Sequence, residues 1–444
     1  MGRCAVSTQK RKRPFALRAL AAFAGTLAIL FVLLLAAYAL PGERVRQHVY
    51  DSARTIQNEG LYPEYLGFKL FQMDNYTDTL MLFEAASADE LPPLQAMMTN
   101  TAYNVDNFET LANDLAWYIE KDWSTGAQRT DAPALEPFSY ARYWHGYLIW
   151  LRPLLLLMPY TGVRIVQYIV LFSLLAVVLV QLRRRCGLRA AVWFAVSQLA
   201  VSVWFVPHQV QYFTCFMIAY AGCAWVLAKP RRSDVLCLGL LVLGTATAFC
   251  DLLVTPIITL GLPLTCWLLE PQQRLRGGVP QCALAVGGSL CWGTGYALCW
   301  AGKWALAGAV TGNNVLADAL HQAEVRTTAD TWHGMELTWR NIFGFLYDTL
   351  NSRHLFWPAL AVLAVLIALF ILSIRSKTAL VRALPLALTT CMTPAWFVLL
   401  RTHSIQHGWF TWRALGLTVF AGLAFLYYAC DLRAARRRLQ KGSI

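Results

Sequence analysis

The chain has 444 residues, 57% of them hydrophobic and only 14% charged, with a formal net charge of +13. A mean hydropathy of +0.45 over that length excludes an ordinary soluble globular protein and points to an all-α polytopic membrane protein. No phosphate-cradling glycine loop, dinucleotide fingerprint or nucleic-acid-binding motif accompanies the positive charge, so nucleic acid is not an expected partner.

Residues 1–14 form a basic tail. The apolar run 15–40 behind it exceeds the roughly 7–15 residues of a signal-peptide core, so it is expected to be a retained first transmembrane helix. Further spans are expected around 163–182, 188–206, 211–228, 235–252, 253–269, 281–302, 355–374, 383–400 and 411–430, which makes ten. The expected organisation is an outer loop over 41–160, helices 2–7 over 161–302, a second outer loop over 303–354, helices 8–10 over 355–430, and a basic cytoplasmic tail over 431–444.

Orientation follows the basic residues of the short loops. Clusters at Lys10 to Arg13, Arg183 to Arg185, Lys229 to Arg232, Arg274 and Arg276, Arg375 and Lys377, and the tail RAARRRLQK alternate correctly if both termini are cytoplasmic. Only Asp234, Glu270 and Asp431 among the acidic residues then lie inside, and all eight histidines lie outside. The twelve cysteines lie in spans or on the inner side, so no disulfide is expected in the outer loops.

The first outer loop has its own pattern. Its early part suggests a helix over TDTLMLFEAA, then two helices of mixed polarity broken at Pro92-Pro93. The segment YWHGYLIWLRPLLLLMP (143–159) is too short to span and is interrupted at Arg152-Pro153. Its Trp and Tyr content suggests a re-entrant or interfacial helix at headgroup level.

Candidate chemistry concentrates on the outer side. In MDNYTDTLML, Asp74 and Asp78 stand one helical turn apart. Such a pair can share a proton or a divalent cation, magnesium or manganese, and one member can act as general base. The same pair equally suits a helix cap and a first-turn acid. Asp251 interrupts an apolar run beside Pro256 and Pro263, the pattern of a broken helix at a cavity or of an interfacial acid facing water. His403, His407 and Arg413 in THSIQHGWFTWRAL suit a phosphate clamp or an aromatic–basic belt. Lys303, Asn313, Asn314 and Arg326 could hold a sugar or a phosphate, or simply be solvated. Arg142 and His145, among the rings of RYWHGY, suit a sugar site or an interfacial belt. Topology and charge together predict that Asp74, Asp78, Asp251 and Arg413 converge on one outer cavity.

This arrangement resembles the GT-C glycosyltransferase superfamily: about ten spans, a cytoplasmic N-terminus, a large first outer loop and an acidic residue early in that loop, matched here by Asp74 or Asp78. The stretches MDNYTDTLML, YWHGYLIWLRPLL, CDLLVTPIITLG, GNNVLADAL and HSIQHGWFTWRAL are also similar to a group of multi-spanning membrane proteins of Gram-positive bacteria without an assigned activity. The chain departs from the GT-C pattern in lacking a DxD or adjacent acidic pair at the loop start. The resemblance implies an inverting enzyme of the bacterial plasma membrane, working at its outer face. It would move a sugar from a polyprenyl-phosphate donor to a surface glycan, glycolipid or protein. Asp74 or Asp78 would deprotonate the acceptor, while Arg413 with Arg326 or Lys303 would stabilise the leaving phosphate. A transporter or flippase, or a polymerase or ligase of lipid-linked saccharides, would share much of this layout.

Overall fold

The computed structural model describes residues 14–88, 90–103, 137–276, 278–328 and 356–431, with isolated positions between 331 and 354. In chain order the helices are α1 (Phe15–Tyr38), α2 (Glu43–Glu59), α3 (Asn75–Ser87), α4 (Pro93–Thr99), α5 (Leu148–Leu155) and α6 (Tyr160–Cys186). There follow α7 (Leu188–Ala200), α8 (Val210–Ala228), α9 (Ser233–Cys250), α10 (Ile257–Leu269), α11 (Pro271–Arg274) and α12 (Gly278–Thr311). The last are α13 (Val315–Thr328), α14 (Phe356–Ser373), α15 (Lys377–Leu399), α16 (Arg401–Gln406) and α17 (Gly408–Ala429). The described strands form two short antiparallel pairs, Thr101–Tyr103 with Pro137–Ser139 and Thr331–Trp332 with Met335–Glu336.

Seven of these helices, α1, α6, α8, α9, α12, α15 and α17, are long and apolar enough to cross a membrane. The chain is therefore a membrane-embedded helical protein. Three more segments expected to span are shorter apolar helices: Leu188–Ala200, Ile257–Leu269 and Phe356–Ala368. The outer faces of α1, α6 and α14 carry exposed Ile29, Val32, Ile165, Ile169, Val362 and Val365, as lipid-facing helices do.

Inside, α9 packs along α12, α15 along α17, and α8 between α6 and α10. At Gly244 a Cβ would lie 2.1 Å from the Trp292 carbonyl oxygen, so only glycine lets α9 approach α12 this closely. The chain between α9 and α10 unwinds over 251–256. Its buried backbone is organised by Asp251, whose carboxylate accepts from the Val254 N–H at 3.2 and 3.1 Å. Pro256 then stands at the position before the first residue of α10. The expected helix break is present, and it lies inside protein where irregular backbone is tolerated at membrane depth.

The chain after α2 forms α3 before and α4 after the expected break at Pro92-Pro93, while the rest of the stretch expected to form the second mixed-polarity helix, over 104–122, lies outside the described residues. The segment 143–159 packs inside protein, against the interfacial one of the two placements expected for it. Trp144, His145, Tyr147, Leu148, Leu151 and Leu155 are all buried in protein. Trp144 donates to the Cys299 carbonyl and stacks on Phe249. The positive φ of His145 and the bare Cα of Gly146 allow this fit, because a Cβ at Gly146 would sit 2.4 Å from the Phe249 ring.

Arg152 explains why this short helix is held inside. Its guanidinium is wholly buried and donates to the carbonyls of Ala37 (2.8 Å), Tyr38 (3.0 Å) and Leu40 (3.1 Å). Ala37 and Tyr38 close α1 and Leu40 follows it; Ala37 also accepts from the Leu40 N–H at 3.3 Å, and a cation is favoured at this helix end. Arg152→Met keeps the volume and removes the donors. It should cost about 3 kcal/mol of stability, seen as a lower thermal unfolding midpoint in detergent; an unchanged midpoint would show that the cap contributes nothing.

Candidate functional site

The first turn of α3 separates the two aspartates that the sequence placed together. Asp74 is the N-cap residue, with non-helical backbone. Its Oδ1 accepts from the Thr77 N–H at 3.0 Å and its Oδ2 from the Thr77 hydroxyl at 2.9 Å. It also lines a cavity of about 230 Å³. Asp78, one turn on, faces Tyr160 of α6, with Gln211 next to both carboxylates. It accepts a short hydrogen bond from the Tyr160 hydroxyl, has the Gln211 N–H at 3.5 Å, and is absent from the cavity wall.

The cavity is built from α3, the chain before α5, the 251–256 turn and the start of α17. Asp74, Glu84, Tyr140, Tyr147, His407 and Trp409 supply its polar and aromatic wall. Asp74, Thr77, Met81 and Glu84 follow helical spacing and all face it. Burial raises the Asp74 carboxyl above its ordinary value, against the hydrogen-bonding pull of Gln211, Thr77 and Trp409 beside it. Burial, with Arg326 nearby, lowers His407 to about 4, so its ring is neutral at physiological pH. His403 is held well below the usual range by burial, then by His407 and Arg326. Its Nε2 stands 2.8 Å from the Leu253 carbonyl, an acceptor only, which assigns the ring proton to Nε2. The two rings do share a face, with centroids 4.7 Å apart.

Glu84 is the site residue that the sequence analysis did not single out. It is 3% exposed, yet it is one of the cavity's two carboxylates. Oε1 accepts from Asn100 at 2.9 Å and from Tyr38 at 3.3 Å. Oε2 accepts from Tyr147 and lies 2.6 Å from His145 Nδ1. The available signal was a lone acid in the apolar run LMLFEAA, on the same stripe as Asp74.

A second, smaller cleft of about 120 Å³ adjoins across the turn, with Leu252 facing the first space and Leu253 the second. It is apolar, walled by Tyr296, Trp300, Trp304 and Trp396, and it carries Arg142 and Arg326. Arg326 donates to the Tyr143 hydroxyl at 2.6 Å. The Arg142 guanidinium lies 4.5 Å from the Tyr140 ring centroid and 3.4 Å from Asp318.

The expected convergence of Asp74, Asp78, Asp251 and Arg413 is corrected, since only Asp74 reaches the cavity. Asp251 is engaged by its own turn. Arg413 is buried, donates to the Trp409 carbonyl at 3.0 Å and the Leu70 carbonyl at 3.2 Å, and lies over the Tyr212 ring. Lys303 is enclosed by the Asn100 side chain (2.5 Å) and the Met97 carbonyl (2.7 Å). Asn314 caps α13 through the Ala317 N–H, and Asn313 is exposed beside it. His145 is packed behind Glu84. In the aspartate pair Thr77 donates one hydrogen bond to each Asp74 oxygen and Tyr160 donates to Asp78. Among the described residues no group of three or more His, Cys, Asp or Glu is gathered as a metal site.

No family model matches the chain, and no curated protein or solved structure matches it.

Burial, the largest influence, lifts the Asp78 carboxyl from 3.8 to about 7, against the opposing Tyr160 hydrogen bond and Arg164 charge. A carboxyl raised in the fold stabilises it when protonated. That contribution is complete below about pH 4 and is lost as pH rises through about 7. Asp78→Asn keeps an acceptor for Tyr160 and removes the titration. Its unfolding midpoint should therefore fall less than that of the wild type between about pH 5 and pH 8; parallel curves would refute the assignment. The slope is reduced rather than abolished, because burial lifts Asp251 in the same sense.

Proposed function

We propose that this chain is a GT-C-like inverting glycosyltransferase, moving a sugar from a polyprenyl-phosphate donor to an acceptor at the extracytoplasmic face of a bacterial plasma membrane. In this reading the seven long helices and three shorter ones make ten crossings, with both termini cytoplasmic. The observation that carries it is the pairing of two neighbouring spaces. One is an aromatic cavity with the raised carboxyl of Asp74; the other is an apolar cleft with the guanidinium groups of Arg142 and Arg326.

The chemistry divides between them. A sugar ring suits the first space, where carboxylates accept from hydroxyls and tyrosine and tryptophan rings offer flat apolar faces. A prenyl chain suits the second, with Arg326 next to its phosphate. Asp74 takes the proton of the acceptor hydroxyl, whose oxygen attacks the anomeric carbon from the face opposite the leaving group. The carbon–oxygen bond to phosphate breaks, its electron pair leaves on the lipid phosphate, and guanidinium charge stabilises that anion. Neutral His407 contributes a hydrogen bond rather than a charge. Asp78 stands behind the site and fixes the start of α3 through Tyr160.

The test compares surface glycans and accumulated polyprenyl-phosphate sugars in cells carrying wild type, Asp74→Asn or Asp78→Asn at equal protein level. Asp74→Asn should lower transfer by about 10²–10⁴-fold, the worth of a general base, with build-up of the lipid-linked donor. Asp78→Asn should retain most of the activity. An unchanged profile in Asp74→Asn would defeat the proposal and favour a transporter of lipid-linked saccharides.

A further inference from the structure

A polar space lies away from the candidate site, at the other end of three of its helices. It is a cleft of about 320 Å³ where the C-terminal ends of α10 and α17 meet the N-terminal end of α15. The same three helices present their other ends to the two spaces described above, through Leu252 and Leu253 before α10, Trp396 on α15 and Trp409 on α17. The two regions therefore occupy opposite ends of the bundle.

Arg274, Arg375 and Arg382 line this cleft, and none of its lining residues is acidic. Three guanidinium groups around one space, without a carboxylate in its wall, repel one another unless an anion sits between them. Each is fixed differently. Arg274 donates to the Tyr428 hydroxyl at 2.7 Å and lies over that ring, while its buried Nε has no hydrogen-bond partner. Arg375 is anchored on the Cys430 carbonyl. Arg382 is exposed along α15. Ser376, the N-cap of the 23-residue α15, also lines the cleft. Its hydroxyl accepts from the Ala379 N–H at 3.1 Å, so the first-turn amides before it face outward at the positive end of a long helix. Gln273 and Gln281 close the floor by bonding to each other at 3.2 Å.

We propose that this cleft binds a phosphate group, with Arg274, Arg375 and Arg382 as its ligands and the first turn of α15 as a further donor. Two sources share that chemistry: the headgroup of an anionic membrane lipid, and a free phosphate or diphosphate. The inference does not rest on the proposed transferase activity.

The experiment uses the full chain in nanodiscs of phosphatidylcholine, alone, with phosphatidate, or with inorganic phosphate or pyrophosphate added. Bound lipid is counted by native mass spectrometry and stabilisation is read from the thermal unfolding midpoint. Retention of phosphatidate over phosphatidylcholine is expected if the source is a lipid. A raised midpoint with inorganic phosphate or pyrophosphate alone is expected if it is soluble. In either case Arg382→Gln should weaken binding by about tenfold, the worth of one charge-assisted contact, and Arg382→Lys should restore part of it. Arg382 is exposed, so both variants should fold with an unchanged midpoint in phosphatidylcholine. Absence of both effects, or equal binding by wild type and Arg382→Gln, would overturn the proposal.

Discussion

A single buried carboxylate ties α3 to three other parts of this molecule. Glu84 on α3 collects the Tyr38 hydroxyl from α1, Asn100 from the end of α4, and Tyr147 and His145 from the chain before α5. Asn100 in turn bonds Lys303 of α12. A carboxylate taken out of water is very costly unless its lone pairs are filled, and here they are filled by groups from separate elements. Each donor satisfied also fixes a backbone position. The cavity wall at Tyr140 and Tyr147 stands where it does because His145 is wedged between Glu84 and the Tyr140 carbonyl.

The fold was largely legible, because spanning helices announce themselves by length and apolarity. The expected first, second, fourth, fifth, seventh, ninth and tenth spans fall on α1, α6, α8, α9, α12, α15 and α17. The break at Asp251 was legible for the same reason: an acid in an apolar run needs a local use, and Val254 supplies it. The two placements of 143–159, re-entrant or interfacial, stayed open because composition cannot distinguish a surface at the lipid headgroups from an interior made of Trp, Tyr and Leu. Only the partners of Arg152, more than a hundred residues away in sequence, decide it.

The site was legible in part. Asp74 stood out by its spacing to Asp78, but that spacing misled about the second aspartate. Asp78 is taken up by Tyr160, whose place 82 residues along the chain no local spacing reveals. Arg413 and Lys303 looked like ligands because cations near membrane ends often are. Their carbonyl acceptors come from distant chain segments, which no local pattern reveals. Glu84 was hidden by the converse effect. One acid among hydrophobic neighbours looks like ordinary variation until the stripe it shares with Asp74 is drawn on a folded helix.

The seating of α1 bears on the order in which the chain can be put together. The oxygens at and just past the end of this helix belong to Ala37, Tyr38 and Leu40, and the guanidinium that binds them arrives 115 positions after the first of them. A ribosome delivers the helix long before its partner. The two ends of α1 are tied at different times: the Arg152 guanidinium reaches its C-terminal end first, and Asp234, further along the chain, then pairs with Arg18 near its start at 2.8 Å. The segment 148–155 and α9 thus hold the same helix from opposite ends.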